Sequence, residues 1–212
     1  MNTELGFERD IGIHVYGKAP IIDRLKYNFY VMNGDGRNRL NANNKLIYGS
    51  RFEYNILGKD QYILSDLDNS QGPHLALGAA YLYDSGNASL DDNILNRFTT
   101  DLVLKYKGFS ALGVLNLASN EKKDETDTGY LGQAGYFLIP GKFELLGRWT
   151  KILKRGALGT DTVDPTELTF GFNYYIRGHS VKLSVDYSRL WNNASTEDQD
   201  DNRVRLQWQL FF

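Results

Sequence analysis

Along this chain apolar and polar residues alternate with a period of two, in runs of about ten residues separated by polar breaks, the signature of β-strands with two unlike faces. Ile11, Ile13 and Val15 alternate with Gly12, His14 and Tyr16; after the tight break APIID, Leu25, Tyr27, Phe29 and Val31 alternate with Lys26, Asn28 and Tyr30. The pair predicts a hairpin. The next break, NGDGRNRLNANN, has the glycine and asparagine density of a surface loop. A third strand then sets Leu46, Tyr48, Phe52, Tyr54 and Ile56 against Arg51 and Glu53. The stretch LGKDQYILSDLDNSQGP that follows is too long for a tight turn, and YILSDL within it has room for one extra short strand.

The same rhythm continues through HLALGAAYLYD and RFTTDLVLKYK, where Phe98, Leu102, Leu104 and Tyr106 oppose Arg97, Asp101 and Lys105. A compact turn at Lys107 and Gly108 leads to FSALGVLNLAS, which is apolar on both faces, so its facing stays open. Beyond the charged break NEKKDETDT come YLGQAGYFLI, a turn at Pro140 and Gly141, and FELLGRWTKIL, with Phe143, Leu145 and Trp149 opposite Glu144 and Arg148. The loop KRGALGTDTVDP separates these from ELTFGFNYYI, and the turn RGH precedes SVKLSVDYSRLW, in which Val181, Leu183, Val185 and Tyr187 face away from Lys182, Ser184 and Asp186. The last run sets Val204, Leu206, Trp208, Leu210 and Phe212 against Arg203, Arg205, Gln207 and Gln209. No segment has the period of an amphipathic helix.

About eleven strands of this length predict an all-β fold, a transmembrane antiparallel up-and-down β-barrel, because a tilted strand of ~10 residues crosses a bilayer. A soluble domain seldom ends on a long strand that is greasy on one face and basic on the other, since such an edge invites aggregation. In a barrel wall, lipid takes the apolar face and water the polar one. Bacterial single-chain barrels have even strand counts. If the C-terminus lies in the periplasm, alternating short and long breaks put the start of this chain outside the cell. The expectation is therefore that several N-terminal strands lie outside this sequence, or else that YILSDL supplies a twelfth strand.

Composition sharpens this picture. Mean hydropathy is -0.44 and no run approaches the roughly 18 apolar residues of a membrane helix. A barrel wall can be that polar because alternate residues face water. With 14 Tyr and 11 Phe, aromatics such as Tyr48, Tyr54, Tyr106, Trp149, Trp191 and Trp208 suit interfacial girdles. The absence of cysteine removes disulfide scaffolds, thiolate catalysis and cysteine zinc sites. A net charge of -2 gives no field that would draw nucleic acid. Met1 is followed by NTELGFERD, which has neither the basic nor the apolar region of an export signal, so the signal has been removed or the chain is a piece of a longer one.

The strand registers place Lys26, Arg51, Arg97, Lys105, Arg148, Lys182, Arg203 and Arg205 on the polar face with Glu53, Asp101, Glu144 and Asp186. Lining a bore, such residues attract small anions; paired across strands, they brace the wall. Both readings stay open. His14, His74 and His179 are scattered over different strand ends and do not assemble a hydrolytic site by sequence. SLDDN and TEDQDD are acidic but lack the spacing of a dedicated Ca²⁺ loop, so neither a metal nor a cofactor is expected.

The stretches GYLGQAGYFLIPGKFELLGRW and FGFNYYIRGHSVKLSVDYSRL resemble the last third of the phosphate-selective porin O and P family, and IGIHVYG with YNFYVMNGDGRN is similar to the hairpin before it. The resemblance implies a water-filled, sixteen-stranded channel in the outer membrane of a Gram-negative bacterium, trimeric, with a loop folded into the pore. This chain would hold its C-terminal two thirds or so. The family's constriction residues find no residue-by-residue match here. By resemblance to such barrels, Trp208, Leu210 and Phe212 form the terminal signal read by the outer-membrane barrel assembly machinery, and the bilayer with its lipopolysaccharide is the surrounding partner. Passive diffusion of small hydrophilic solutes, anion-leaning, is the expected function. Two rivals stand beside it: a small outer-membrane hydrolase on a twelve-stranded barrel, and a soluble lipocalin-type barrel that buries its apolar face inward.

Overall fold

A computed structural model describes residues 10–36, 40–41, 44–58, 64–86, 94–121, 125–155, 161–163, 165–192 and 200–211, and among them the chain forms one antiparallel sheet without a helix. Its strands are β1 (Gly12–Lys18), β2 (Leu25–Met32), β3 (Ile47–Leu57), β4 (His74–Asp84), β5 (Leu95–Tyr106), β6 (Phe109–Asn120), β7 (Glu125–Ile139) and β8 (Phe143–Arg155), then β9 (Asp161–Val163), β10 (Pro165–Arg177), β11 (Val181–Asn192) and β12 (Asp201–Leu210). Each pairs with the next along the chain, except that the three-residue β9 hangs on the end of β8 and β8 pairs with β10. The result is an up-and-down meander of eleven strands, as the alternation predicts.

Short connections explain why sequence neighbours pair. At the β5–β6 turn Lys107 and Gly108 both have positive φ (48° and 79°), the backbone of a primed hairpin turn whose twist matches its flanking strands. The strands depart from the sequence reading mainly at the opposite, long-loop end. There β7 begins at Glu125, so part of the break NEKKDETDT is ladder, Asp127 lying opposite Ala118. Likewise β10 begins at Pro165, and β12 runs from Asp201 to Leu210 rather than from Val204 to Phe212. Backbone pairing needs no apolar side chain, so a hairpin extends past the point where apolar alternation stops. Of YILSDL, the residues from Leu64 onward bend and turn and form no strand; residues 59–63, like Phe212, lie outside the described set.

Residues directly opposite across a ladder share a face, and the registers sort the side chains cleanly. The ambiguous β6 is resolved in this way: Ser110 opposes Lys105, Val114 opposes Asp101 and Asn116 opposes Thr99, so these join the polar face. The two faces are covered very differently. Phe170 is 59% and Tyr81 46% exposed, whereas Lys105 is 2% and Ser188 0% exposed. Polar side chains crowd one another across strands on one face, and large apolar ones stand apart on the other. The distinction fades at β1 and β12, which are exposed on both faces because each lacks a neighbour on its outer side. The described sheet is therefore open, with β1 and β12 as its two free edges.

Candidate functional site on the polar face

The crowded face is organised by charge-assisted hydrogen bonds that span two strands at a time. Arg51 on β3 reaches over β4 to Asp101 on β5, with Nη1 and Nη2 donating to the two carboxylate oxygens at 2.8 and 3.1 Å, while its Nε donates to Glu53 at 2.9 Å. The strand between supplies Gly78, where a Cβ would collide with both the Asp101 carboxylate and the Arg51 guanidinium. Glycine here is a slot for the ion pair. A second slot is Gly135 on β7, whose Cβ would lie 2.8 Å from Glu144 Oε1 and 3.0 Å from Ser110 Oγ.

The second cluster is centred on Glu167 of β10. Its Oε1 accepts from Arg148 Nη2 of β8 at 3.2 Å, from Arg203 Nη2 of β12 at 3.1 Å and from Thr169 Oγ1 at 2.9 Å. Thr169 in turn shares a 2.8 Å hydrogen bond with Ser188 of β11, so four strands are tied in one row. Beside it, Arg205 Nε donates to Asp186 at 2.9 Å, an exposed pair of the kind worth ~0–1 kcal/mol. Nearer the short-turn end, Glu144 accepts from Asn173 Nδ2 at 2.8 Å and from the Tyr175 hydroxyl at 2.7 Å. Ser184 Oγ donates to Asn173 Oδ1 at 2.6 Å, completing that row. Lys182 Nζ stands 5.8 Å from the Tyr175 ring centre. Arg148, Thr169, Asn173, Lys182, Asp186 and Arg205 line a concavity of about 660 Å³.

The structure thus brings all of the charged residues singled out by sequence, Lys26, Arg51, Glu53, Arg97, Asp101, Lys105, Arg148, Lys182, Asp186, Arg203 and Arg205, onto one face, together with Glu144. Several acids on that face escaped the sequence reading, among them Asp127 opposite Ala118, Asp201 opposite Leu190, Glu167 and Asp84. Glu167 opens the run ELTFGFNYYI in step with Thr169, so the alternation carried the signal; Asp84, whose charge acts on Arg97, ends β4. These acids bring the face closer to charge balance than the sequence count, although Lys18 and Lys154 join it as well, and several of its cations are engaged in cross-strand pairs.

The outer face carries Tyr48, Tyr54, Tyr106 and Trp208 as exposed aromatics, with Leu210 on the same face and Trp191 half-buried. Trp149 shares that face but sits at the middle of β8, away from a girdle position. Tyr81 and Tyr187 donate their hydroxyls to Asn96 and Asn202, both at 2.6 Å, near the long-loop end. The histidines serve locally. His14 hydrogen-bonds Asn28 at 3.1 Å and stacks on Tyr16 and Tyr30, and His179 meets the Tyr175 ring edge-on. Among the described residues, none of the His, Asp and Glu side chains are grouped to hold a metal ion; SLDDN and most of TEDQDD lie outside them.

No family model matches the chain, and no solved structure matches it. It is similar to an uncharacterized protein of Aquifex aeolicus (strain VF5), 30% identical over 158 residues that take in 68% of this chain and 37% of that protein. The chain thus spans little more than a third of that relative's length.

Proposed function

We propose that this chain forms part of the wall of an outer-membrane β-barrel through which small hydrophilic solutes diffuse passively. The observation that supports the reading is the sidedness of the sheet. On the interior strands, large apolar side chains such as Phe52, Tyr81, Phe98, Leu145 and Phe170 stand exposed, and charged ones such as Asp101, Lys105 and Glu144 are covered. A protein in water gains by hiding apolar surface, and an exposed apolar band of this extent is satisfied by lipid. A lipocalin-type barrel would need the reverse arrangement.

In this reading the free edges of β1 and β12 are joined by strands outside this sequence, closing a barrel of sixteen strands, whose lumen is wide enough for water. The partly matched length of the Aquifex relative agrees with that. The barrel sits in the outer membrane of a Gram-negative bacterium as a homotrimer among lipopolysaccharide, assembled through the signal in Trp208, Leu210 and Phe212. Its permeant solutes are small anions and neutral molecules. Because Glu167 and Asp101 engage Arg148, Arg203 and Arg51, its preference for anions is weak rather than strict.

Single-channel recording of the purified protein in a planar bilayer tests this. Discrete conductance steps, with a reversal potential in a salt gradient that modestly favours anions, are the expected result. Absence of steps across a range of protein concentrations contradicts it.

A further inference from the structure

The connection between β3 and β4 lies at the short-turn end of the sheet, where the other connections are residues 19–24, 107–108, 140–142 and 178–180, yet it runs from 58 to 73. Its described part, residues 64–73, folds back against three of those turns. The Asp66 carboxylate is 2% exposed and accepts from the amides of Gly108 at 2.7 Å and Ser70 at 3.1 Å. The Lys107 amide donates to the Ser70 carbonyl at 3.0 Å. A Cβ on Gly141 would lie 3.4 Å from the Leu67 carbonyl oxygen, and one on Gly178 3.7 Å from Leu67 Cδ2, so the segment also rests on the β7–β8 and β10–β11 turns.

From those turns it reaches over the polar face. Ser65 lies beside the Tyr175 hydroxyl, and the charges of Asp66 and Asp68 act on Lys105. Beneath it are the most thoroughly covered polar groups of this end: Lys105, Ser110, Glu144 and Tyr175. A connection serving only as a linker would stand in water with its carboxylates solvated. This one buries a carboxylate, which is tolerable only because two backbone amides satisfy it.

We infer that residues 64–73 are an inward-seated strap that narrows the channel at its short-turn mouth, latched by Asp66 to the amide of Gly108; the inference rests on the porin reading. The latch is local and the strap covers charged groups of the bore, so releasing it widens the mouth and uncovers Lys105.

Two measurements on the same variants test it. In planar bilayers, Asp66→Ala, or replacement of residues 64–72 by a short glycine linker should the point variant fold poorly, raises single-channel conductance about twofold, since flow through a pore is governed by its narrowest section. The sequence has no cysteine, so Ser65→Cys or Ser70→Cys introduces a single thiol where the native Oγ is buried. That thiol reacts slowly with a water-soluble maleimide, and Asp66→Ala makes it fast. Conductance unchanged in both strap variants, or thiols equally fast with and without Asp66, overturns the strap while leaving the channel standing. A wild-type protein that forms no channel overturns the porin reading and this inference with it.

Discussion

At the scale of single residues, the polar face depends on glycines as much as on charges. The Arg51–Asp101 pair crosses β4 only because Gly78 has no side chain, so Gly78→Val forces the pair apart and overpacks the row. The expected loss is about 1–3 kcal/mol, read as a lower urea midpoint of the folded protein in lipid. Glu167 is the group that occupies both Arg148 and Arg203. Replacing it with Gln removes one negative charge from the wall and releases two guanidinium groups, so the anion to cation permeability ratio rises. Arg148→Glu or Arg51→Glu moves the same ratio down, and the opposite signs separate an electrostatic effect from general loosening. Reversal potentials that stay fixed in all three variants contradict the assignment of these side chains to the conducting path.

At the scale of elements, strand existence and facing could be read from the chain, and strand ends could not. The alternation Leu183, Val185, Tyr187 against Lys182, Ser184, Asp186 fixes both the strand and its two faces, and the observed β11 agrees. Where the alternation is absent the sequence is silent: FSALGVLNLAS is apolar on both sides, and only pairing of Ser110 with Lys105 decides its facing. The start of β7 at Glu125 was hidden because charged residues in a ladder beyond the apolar band look like loop. The β3–β4 segment was harder still, since what seats it is the contact of Asp66 with an amide 42 residues away, a partner that no local pattern announces. Of the polar cluster, Arg148 and Arg203 were read from the sequence, but their hub Glu167 and the pairing were not, because Glu167 and Arg203 meet across an intervening strand. On the apolar side, Leu206 lies midway along β12 with its side chain exposed. Leu206→Arg there costs ~2–4 kcal/mol of folding into a bilayer if it reaches the midplane, whereas a change at Gln207, on the other face, is tolerated. Equal losses at the two positions, measured by refolding into vesicles, contradict the facing.

At the scale of the whole molecule, everything turns on which medium meets which face. The sheet is open as described; the barrel proposed above would cover its exposed apolar face with hydrocarbon and give the free edges of β1 and β12 partners. The protein itself supplies the reporters. Its three tryptophans, Trp149, Trp191 and Trp208, all stand on the apolar face by register, on β8, β11 and β12. Reconstituted into vesicles whose acyl chains carry bromine, the protein loses most of its tryptophan fluorescence, while aqueous iodide leaves it largely intact. Fluorescence quenched by iodide and indifferent to brominated lipid would place the apolar face in water and contradict the account.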